Sequence, residues 1–319
     1  MPAQWPVGAE ELVAANCQFR VDRVPGRPDV TEFKQRARWQ QAWWRNKCGL
    51  PMGGHRSARS TSLTPNGSRV AEVFARQSGC NFLSPTIRKS AEDRLAQPQR
   101  HQTLNEARLW TDLLSSMPMC FNLFGELHDD PGRLTHAVDM LWPSHPGTPD
   151  QLIFEWSPGR RDALYLNNRS AFDAAIVLRL PNDQRGAIGV ETKYHEDIRR
   201  ERAPHPQSRL PRYREVTECS EVFRSDWEVK LVGTDLQQLW LDHLLVLSML
   251  QHPRARWEWG RFTVVFPAGN GSVRDAVDRY RDVLATPDTF EARTIEELLD
   301  AGVLHEAATG RAFRKRYLW

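Results

Sequence analysis

The stretch AFDAAIVLRLPNDQRGAIGVETKY, residues 171–194, places two apolar runs on either side of a turn and embeds charged side chains within them. Residues 171–180 and 186–194 read as strands, and residues 181–185 supply the turn chemistry between them. Side chains alternate along a strand, so Asp173 is expected on the face of Ala175 and Val177, while Gly189, Glu191 and Lys193 share one face. A tight hairpin centred near Asp183 brings Asp173 opposite Lys193, give or take a residue or two. Cross-strand neighbours on one face lie roughly 5 Å apart. A surface ion pair is worth under about 1 kcal/mol, whereas charge inside a core-like strand is costly unless it serves a site.

Two converging carboxylates repel unless positive charge lies between them. Mg²⁺, or Mn²⁺, is a natural occupant, because it takes carboxylate oxygens and keeps positions for water and phosphate. Asp173 and Glu191 are the expected metal ligands, and Lys193 is placed to orient water or to stabilise developing negative charge. Ala175 and Gly189 are small, which suggests room for a backbone phosphate.

Around this hairpin the periodicity predicts helices over 32–49, 68–77, 85–94, 104–115, 134–141, 236–250, 273–284 and 294–301. Strands are predicted over 152–156 and 261–267. Residues 53–66 read as a loop rich in Gly, Ser and Thr, and 195–230 as a charged, exposed excursion. Thr103 is the expected N-cap of the helix at 104, with Glu106 completing a capping box. Thr234 or Asp235 is the expected cap of the apolar helix at 236–250. The order of helix, strands, helix and strand is α/β, with helices covering a mixed sheet. The organisation reads as an N-terminal helical extension (1–100), a core (101–270) and a C-terminal helical tail (271–319).

This element order, with Asp173 followed by Glu191-Thr192-Lys193, resembles the PD-(D/E)XK nuclease superfamily, and NEARLW, FNLFGEL, ETKYHE and QLWLDHLL resemble a bacterial branch of restriction-endonuclease-like proteins. Phe172 stands where the family motif has Pro. The resemblance implies a restriction-endonuclease-like core and a magnesium-dependent phosphodiesterase acting on DNA, with RNA left open. It makes Glu106 a candidate for a carboxylate on the first core helix, against its reading as a capping-box residue. It makes Gln238, with Gln237 as the alternative, a candidate amide on the helix after the motif, against a structural hydrogen bond. Tyr194 and His195 are candidate phosphate contacts, while His243 reads as a core histidine. Arg199, Arg200, Arg202, Arg209 and Arg212 are candidates to grip the nucleic-acid backbone, with Arg160-Arg161 and Arg314-Lys315-Arg316 as weaker ones. The rival reading is a catalytically silent nuclease-fold subunit of a larger complex. A homodimer or a defence-system protein is the open partner assignment.

Net charge is +3 in 319 residues, so nucleic-acid binding has to come from local basic patches rather than from overall charge. The five cysteines form no C-x-x-C pair, which argues against structural zinc and for reduced thiols in the cytoplasm. The N-terminus lacks the pattern of a signal peptide. Residues 236–250 are too few to span a bilayer. No phosphate-binding G-x-x-x-x-G-K-[ST] loop is present, which disfavours an NTP-driven motor.

Overall fold

The computed structural model describes residues 4–56, 62–102, 104–199, 207–304 and 307–319. In chain order, α1 (Ala9–Ala14) and α2 (Pro28–Lys47) lead into a hairpin of β1 (Met52–Arg56) and β2 (Leu63–Val70). Helices α3 (Glu72–Ser78), α4 (Pro85–Ala96), α5 (Glu106–Thr111), α6 (Ser116–Phe124) and α7 (Pro131–Leu141) precede β3 (Thr148–Trp156), β4 (Phe172–Arg179) and β5 (Arg185–Thr192). Then come α8 (Leu210–Ser220), α9 (Trp227–Leu231), α10 (Gln237–Leu250), β6 (Trp257–Phe266), α11 (Gly271–Arg281), β7 (Phe290–Thr294), α12 (Ile295–Asp300) and α13 (Ala307–Tyr317).

Strands β3 to β7 form one five-stranded sheet in sequence order, antiparallel from β3 to β5 and parallel from β5 to β7. Parallel neighbours need a crossover, which α10 supplies between β5 and β6 and α11 between β6 and β7. Alternation along the central strands feeds two apolar layers. Ala174, Ile176, Leu178, Ile188 and Val190 join helices α4 to α7 on one face, and Ala175, Val177 and Ala187 join α8, α10 and α11 on the other. Helix α10 is buried over most of its length, as expected of a helix apolar all round. The first layer also takes Trp44 of α2 and Tyr317 of α13, so one core draws on residues from 37 to 317. Among the described residues no helix is long and apolar enough to cross a membrane.

The strands of the central hairpin and the helix at 236–250 lie within two residues of their expected bounds, and the sheet is mixed and flanked by helices as expected. Other segments differ. The expected loop at 53–66 contains the β1–β2 hairpin, and part of the expected helix at 68–77 is β2. Glycine there permits close backbone approach: a Cβ on Gly67 would meet the Ala15 carbonyl oxygen at 2.1 Å. The helix expected over 104–115 is α5 followed by α6. Asn105 caps α5 by accepting from the Arg108 amide, while Thr103 lies outside the described residues. Helix α6 tolerates Pro118 because it falls in the first turn. The excursion expected over 195–230 contains α8 and α9, whose Tyr213, Val216, Trp227 and Leu231 pack against α10. Strand β7 and helix α13 were not expected.

Helix α13 also corrects the reading of Arg314-Lys315-Arg316 as phosphate ligands. Arg314 pairs with Asp300, Lys315 lies over the Trp43 ring, and Arg316 is fully buried. Arg316 donates to the Asn81 carbonyl at 2.7 Å and to Gln41 Oε1 at 3.1 Å, and its guanidinium lies 4.4 Å from the Trp44 ring centre. Arg316→Ala would leave those acceptors dry and unpaired, so a loss of about 3 kcal/mol is expected. Urea unfolding of the full chain measures it; an unchanged midpoint would show that the C-terminal helix is not integral to the core.

Candidate active site

Strand β5 delivers Glu191, and Lys193 follows just beyond its end. The Lys193 amide still donates to the Val265 carbonyl at 2.8 Å, so the ladder to β6 fixes its backbone. Both residues are less than a tenth exposed. Lys193 Nζ donates to Glu191 Oε1 at 2.6 Å, and Gln238 Nε2, from the first turn of α10, donates to the same oxygen at 3.3 Å. Of the two glutamines only Gln238 contacts Glu191 among the described residues, whereas Gln237 Oε1 accepts from the Gly233 amide at 2.8 Å.

Asp173 sits at the start of β4. The ladder to β5 ends with Ala174 opposite Val190, which brings Asp173 level with Glu191 rather than with Lys193. Beyond that rung Asp173 Oδ2 accepts from the Thr192 amide at 2.8 Å and from the Thr192 hydroxyl at 2.6 Å. Alternation breaks here, because Phe172 packs in the same apolar cluster as Ala175 and Val177. Its ring fills the space beside Gly189, where a Cβ would lie 2.4 Å from Phe172 Cε1. Gly189 therefore admits the Phe172 ring and does not leave open room for a phosphate.

A third carboxylate, Glu155, enters from β3. It lies between the rungs Phe154–Ala174 and Trp156–Phe172, beside Asp173. Its φ is +48°, a left-handed conformation that costs a non-glycine residue about 1 kcal/mol or more. Arg160 and Arg94 donate to its carbonyl at 2.8 and 3.4 Å. The signal was present in the sequence: Leu152-Ile153-Phe154-Glu155-Trp156 embeds a carboxylate in an apolar strand, as Phe172-Asp173-Ala174-Ala175-Ile176 does.

The three acids share one electrostatic field. Burial, then Asp173, raises the Glu191 carboxyl to about 7 against the pull of Lys193. Burial, then Asp173 and Glu191, raises Glu155 to about 8. Burial raises Asp173 as well, despite its bonds from Thr192. Burial opposes the Lys193 ammonium, but Glu191, Asp242 and Glu196 outweigh it and hold the Lys193 pKa above its ordinary value. Burial would also raise Glu196; His195, Lys193, the Tyr194 amide and Arg108 instead hold it down at about 2.

This donor set suits a hard divalent cation. Asp173 Oδ1, Glu191 Oε2 and both Glu155 carboxylate oxygens accept no hydrogen bond from a described residue. Negative charge exceeds what Lys193 balances. Among the described residues, only Asp93, His128 and Asp129 bring three ligand atoms within 4.8 Å of one another. Lys89 donates to both of those aspartates, so their charge is already compensated.

Lys193 and Gln238 open onto a cleft of about 730 Å³ whose lining mixes Lys34, Arg108, His195 and Arg199 with Glu196, Asp197 and Asp235. Of the expected arginines, Arg199 is exposed at this cleft, while Arg200 and Arg202 lie outside the described residues. Arg212 does not face it: it donates to the Tyr165 carbonyl at 2.7 Å and the Leu164 carbonyl at 2.8 Å, which ties α8 to the loop before β4. Arg209 stands beside Tyr213 at the start of α8 and is not among the cleft residues. Glu106 is also elsewhere, exposed and paired with Arg76 at 3.1 Å. Tyr194 is buried with its hydroxyl on Gln41, so it is core rather than a phosphate contact. His243 is the core histidine expected, bonded to Tyr280 and Thr289, and burial lowers its pKa to about 3.

A family model described as the PD-(D/E)XK nuclease superfamily matches residues 28–319. No curated protein and no solved structure matches the chain.

The raised carboxyls fix the sign of a pH effect. A carboxyl whose pKa rises on folding holds its proton more tightly in the folded chain. It therefore disfavours folding increasingly as pH climbs from its ordinary 4.5 to about 7 for Glu191 and about 8 for Glu155. In EDTA, thermal stability should fall across that window by up to about 1.4 kcal/mol per pH unit for each group. Glu155→Gln should flatten the fall, and Mg²⁺ or Mn²⁺ should reverse it. Identical pH profiles for wild type and variant would show that Glu155 stands outside the shared field.

Proposed function

The chain belongs to the PD-(D/E)XK nuclease superfamily, and we propose that it is a metal-dependent nuclease that hydrolyses phosphodiester bonds of DNA, leaving a 5′-phosphate. The observation that carries this reading is the set of contacts on Glu191: Lys193 and Gln238 both donate to one carboxylate oxygen, while Asp173 is locked by Thr192 at the adjacent strand end. A merely structural ion pair has no use for further half-buried carboxylates beside it, with Asp173 raising the pKa of both Glu191 and Glu155.

Asp173 and Glu191 would hold Mg²⁺ or Mn²⁺, with Glu155 as a further oxygen donor. When bound, such a cation supplies Lewis-acid charge and a water of lowered pKa. Glu191 anchors the Lys193 ammonium, which would donate to the attacking water or to a non-bridging phosphate oxygen as negative charge develops. Gln238 limits the rotation of Glu191 and so keeps Lys193 and the carboxylates in one geometry. Arg199 and Arg108 line the cleft into which the phosphate backbone would run, beside Lys34, which Asp197 already pairs. We place its action in the cytoplasm, where five free cysteines would stay reduced, and in bacterial defence or repair.

Purified protein tested with Mg²⁺ or Mn²⁺ on linear, circular and single-stranded DNA and on RNA addresses substrate and metal together. Cleavage of DNA abolished by EDTA is expected; full cleavage without metal would sink the reading. Asp173→Asn and Glu191→Gln should remove cleavage in folded protein. Lys193→Ala should slow single-turnover cleavage about 10²- to 10³-fold, as loss of a positioned electrostatic donor does. It should weaken DNA binding far less, because one phosphate contact among many carries little of the affinity. Equal falls in rate and affinity would make Lys193 a binding residue only.

A further inference from the structure

On one side of the carboxylates the Lys193 cleft mixes Lys34, Arg108 and Arg199 with Glu196, Asp197 and Asp235. Beyond Glu155 lies a groove of about 570 Å³, lined among others by Gln99, Arg100, His101, Ser157, Arg160 and Arg161. It shares no lining residue with the Lys193 cleft. Its one acid, Asp162, already accepts from the Leu164 amide at 2.9 Å. Arg100 and Arg161 are exposed, and neither pairs with an acid among the described residues. Arg160 joins the groove to the site, donating to Gln99 Oε1 on one side and to the Glu155 carbonyl on the other.

Two further features separate this groove from ordinary charged surface. His101, Glu155, Arg161 and Asn167 all hold positive φ, at 63°, 48°, 59° and 50°, so the loops that form it are set in a conformation non-glycine residues rarely adopt. Ser157 is 6% exposed, yet its hydroxyl has no hydrogen-bond partner among the described residues. A buried hydroxyl left without a partner is costly, and a turn of the side chain toward the groove would let an incoming oxygen satisfy it. The positive field is also visible on His101, whose pKa burial and then Arg161, Arg100 and Arg169 push down. The basic groove at the other end of the sheet differs. There Arg179 pairs with Asp150, Arg256 with Asp183, and Arg185 lies over the Trp257 ring.

We propose that the groove of Arg100, His101, Arg160 and Arg161 is a second phosphate-binding site, which takes the sugar–phosphate backbone of the nucleic-acid substrate on the Glu155 side of the carboxylates. The substrate strand then crosses the carboxylates between the Lys193 cleft and this groove. Guanidinium forks suit phosphate oxygens in two-point contacts, which Arg100 and Arg161 are free to make. The proposal rests on the nuclease reading above.

The test is equilibrium binding of fluorescent single-stranded and duplex DNA across a salt series in EDTA, with wild type, Arg100→Gln/Arg161→Gln and Arg100→Lys/Arg161→Lys. Each lost phosphate contact removes about 0.7 (single strand) to 0.9 (duplex) from the slope of log affinity against log salt. The glutamine pair should therefore flatten the slope by about 1.4 to 1.8, with affinity near 0.1 M salt falling tenfold or more. The lysine pair keeps the charge and should retain most of the slope, which separates phosphate contact from misfolding. Wild-type cleavage together with an unchanged slope in the glutamine pair overturns the groove while leaving the nuclease reading intact. A wild type that neither binds nor cleaves any nucleic acid overturns both.

Discussion

Three carboxylates, one buried and two half-buried, against one ammonium set the terms for the rest of this molecule. Glu155, Asp173 and Glu191 come from three adjacent strands, and the sheet holds them close enough that Asp173 raises both Glu155 and Glu191, and Glu191 raises Glu155. Lys193 cannot balance that charge alone, so the fold has to resist their repulsion by rigid packing. The Val265 carbonyl fixes Lys193, Thr192 grips Asp173, and Gln238 steadies Glu191 from α10. In the apolar sheet these charges would be a defect unless a substrate or a cation exploited them.

The segments outside the central sheet serve the same end. Just after β5 the chain is clamped from both sides. Asn270, which caps α11, donates to the Tyr194 and Glu196 carbonyls at 2.9 and 3.0 Å, and Lys34 of α2 pairs with Asp197. Gln41 of α2 bonds the Tyr194 hydroxyl and also the Arg316 carbonyl at 2.8 Å, so both chain ends brace the strand that carries Glu191. On the other side Arg94 of α4 and Arg160 converge on the Glu155 carbonyl and hold its left-handed backbone. Strain at Glu155 is thus supported by guanidinium groups from two separate parts of the chain.

Legibility varied with how local the determining physics is. The β4–β5 hairpin and α10 were readable because burial on both faces imposes runs of Ala, Ile, Val and Leu that few other environments require. Their embedded charges pointed to Asp173, Glu191 and Lys193, and the family resemblance to Gln238; the structure brings these to one place apart from the adjustment at Phe172. Helix α13 was hidden because Arg314-Lys315-Arg316 has the composition of a solvated basic run, and only the Asn81 and Gln41 acceptors explain a buried arginine. Helix α8 was hidden for the same reason, since its arginines obscure a stripe of Tyr213, Val216 and Thr217.

What the sequence determined by itself was the pattern of the central strands, the apolar helix at 237–250 and the residue types able to hold a cation, because these follow from nearest-neighbour periodicity and the cost of burying charge. Only the tertiary structure decided that Glu155 joins the site while Glu106 does not. Glu155 comes beside Asp173 through strand pairing, whereas Glu106 is turned outward to Arg76. It likewise decided which arginines are exposed at a groove and which are committed to packing, since Arg100 and Arg212 look alike in sequence. The difference lies in whether a distant carbonyl, such as those of Tyr165 and Leu164 for Arg212, has already claimed the guanidinium.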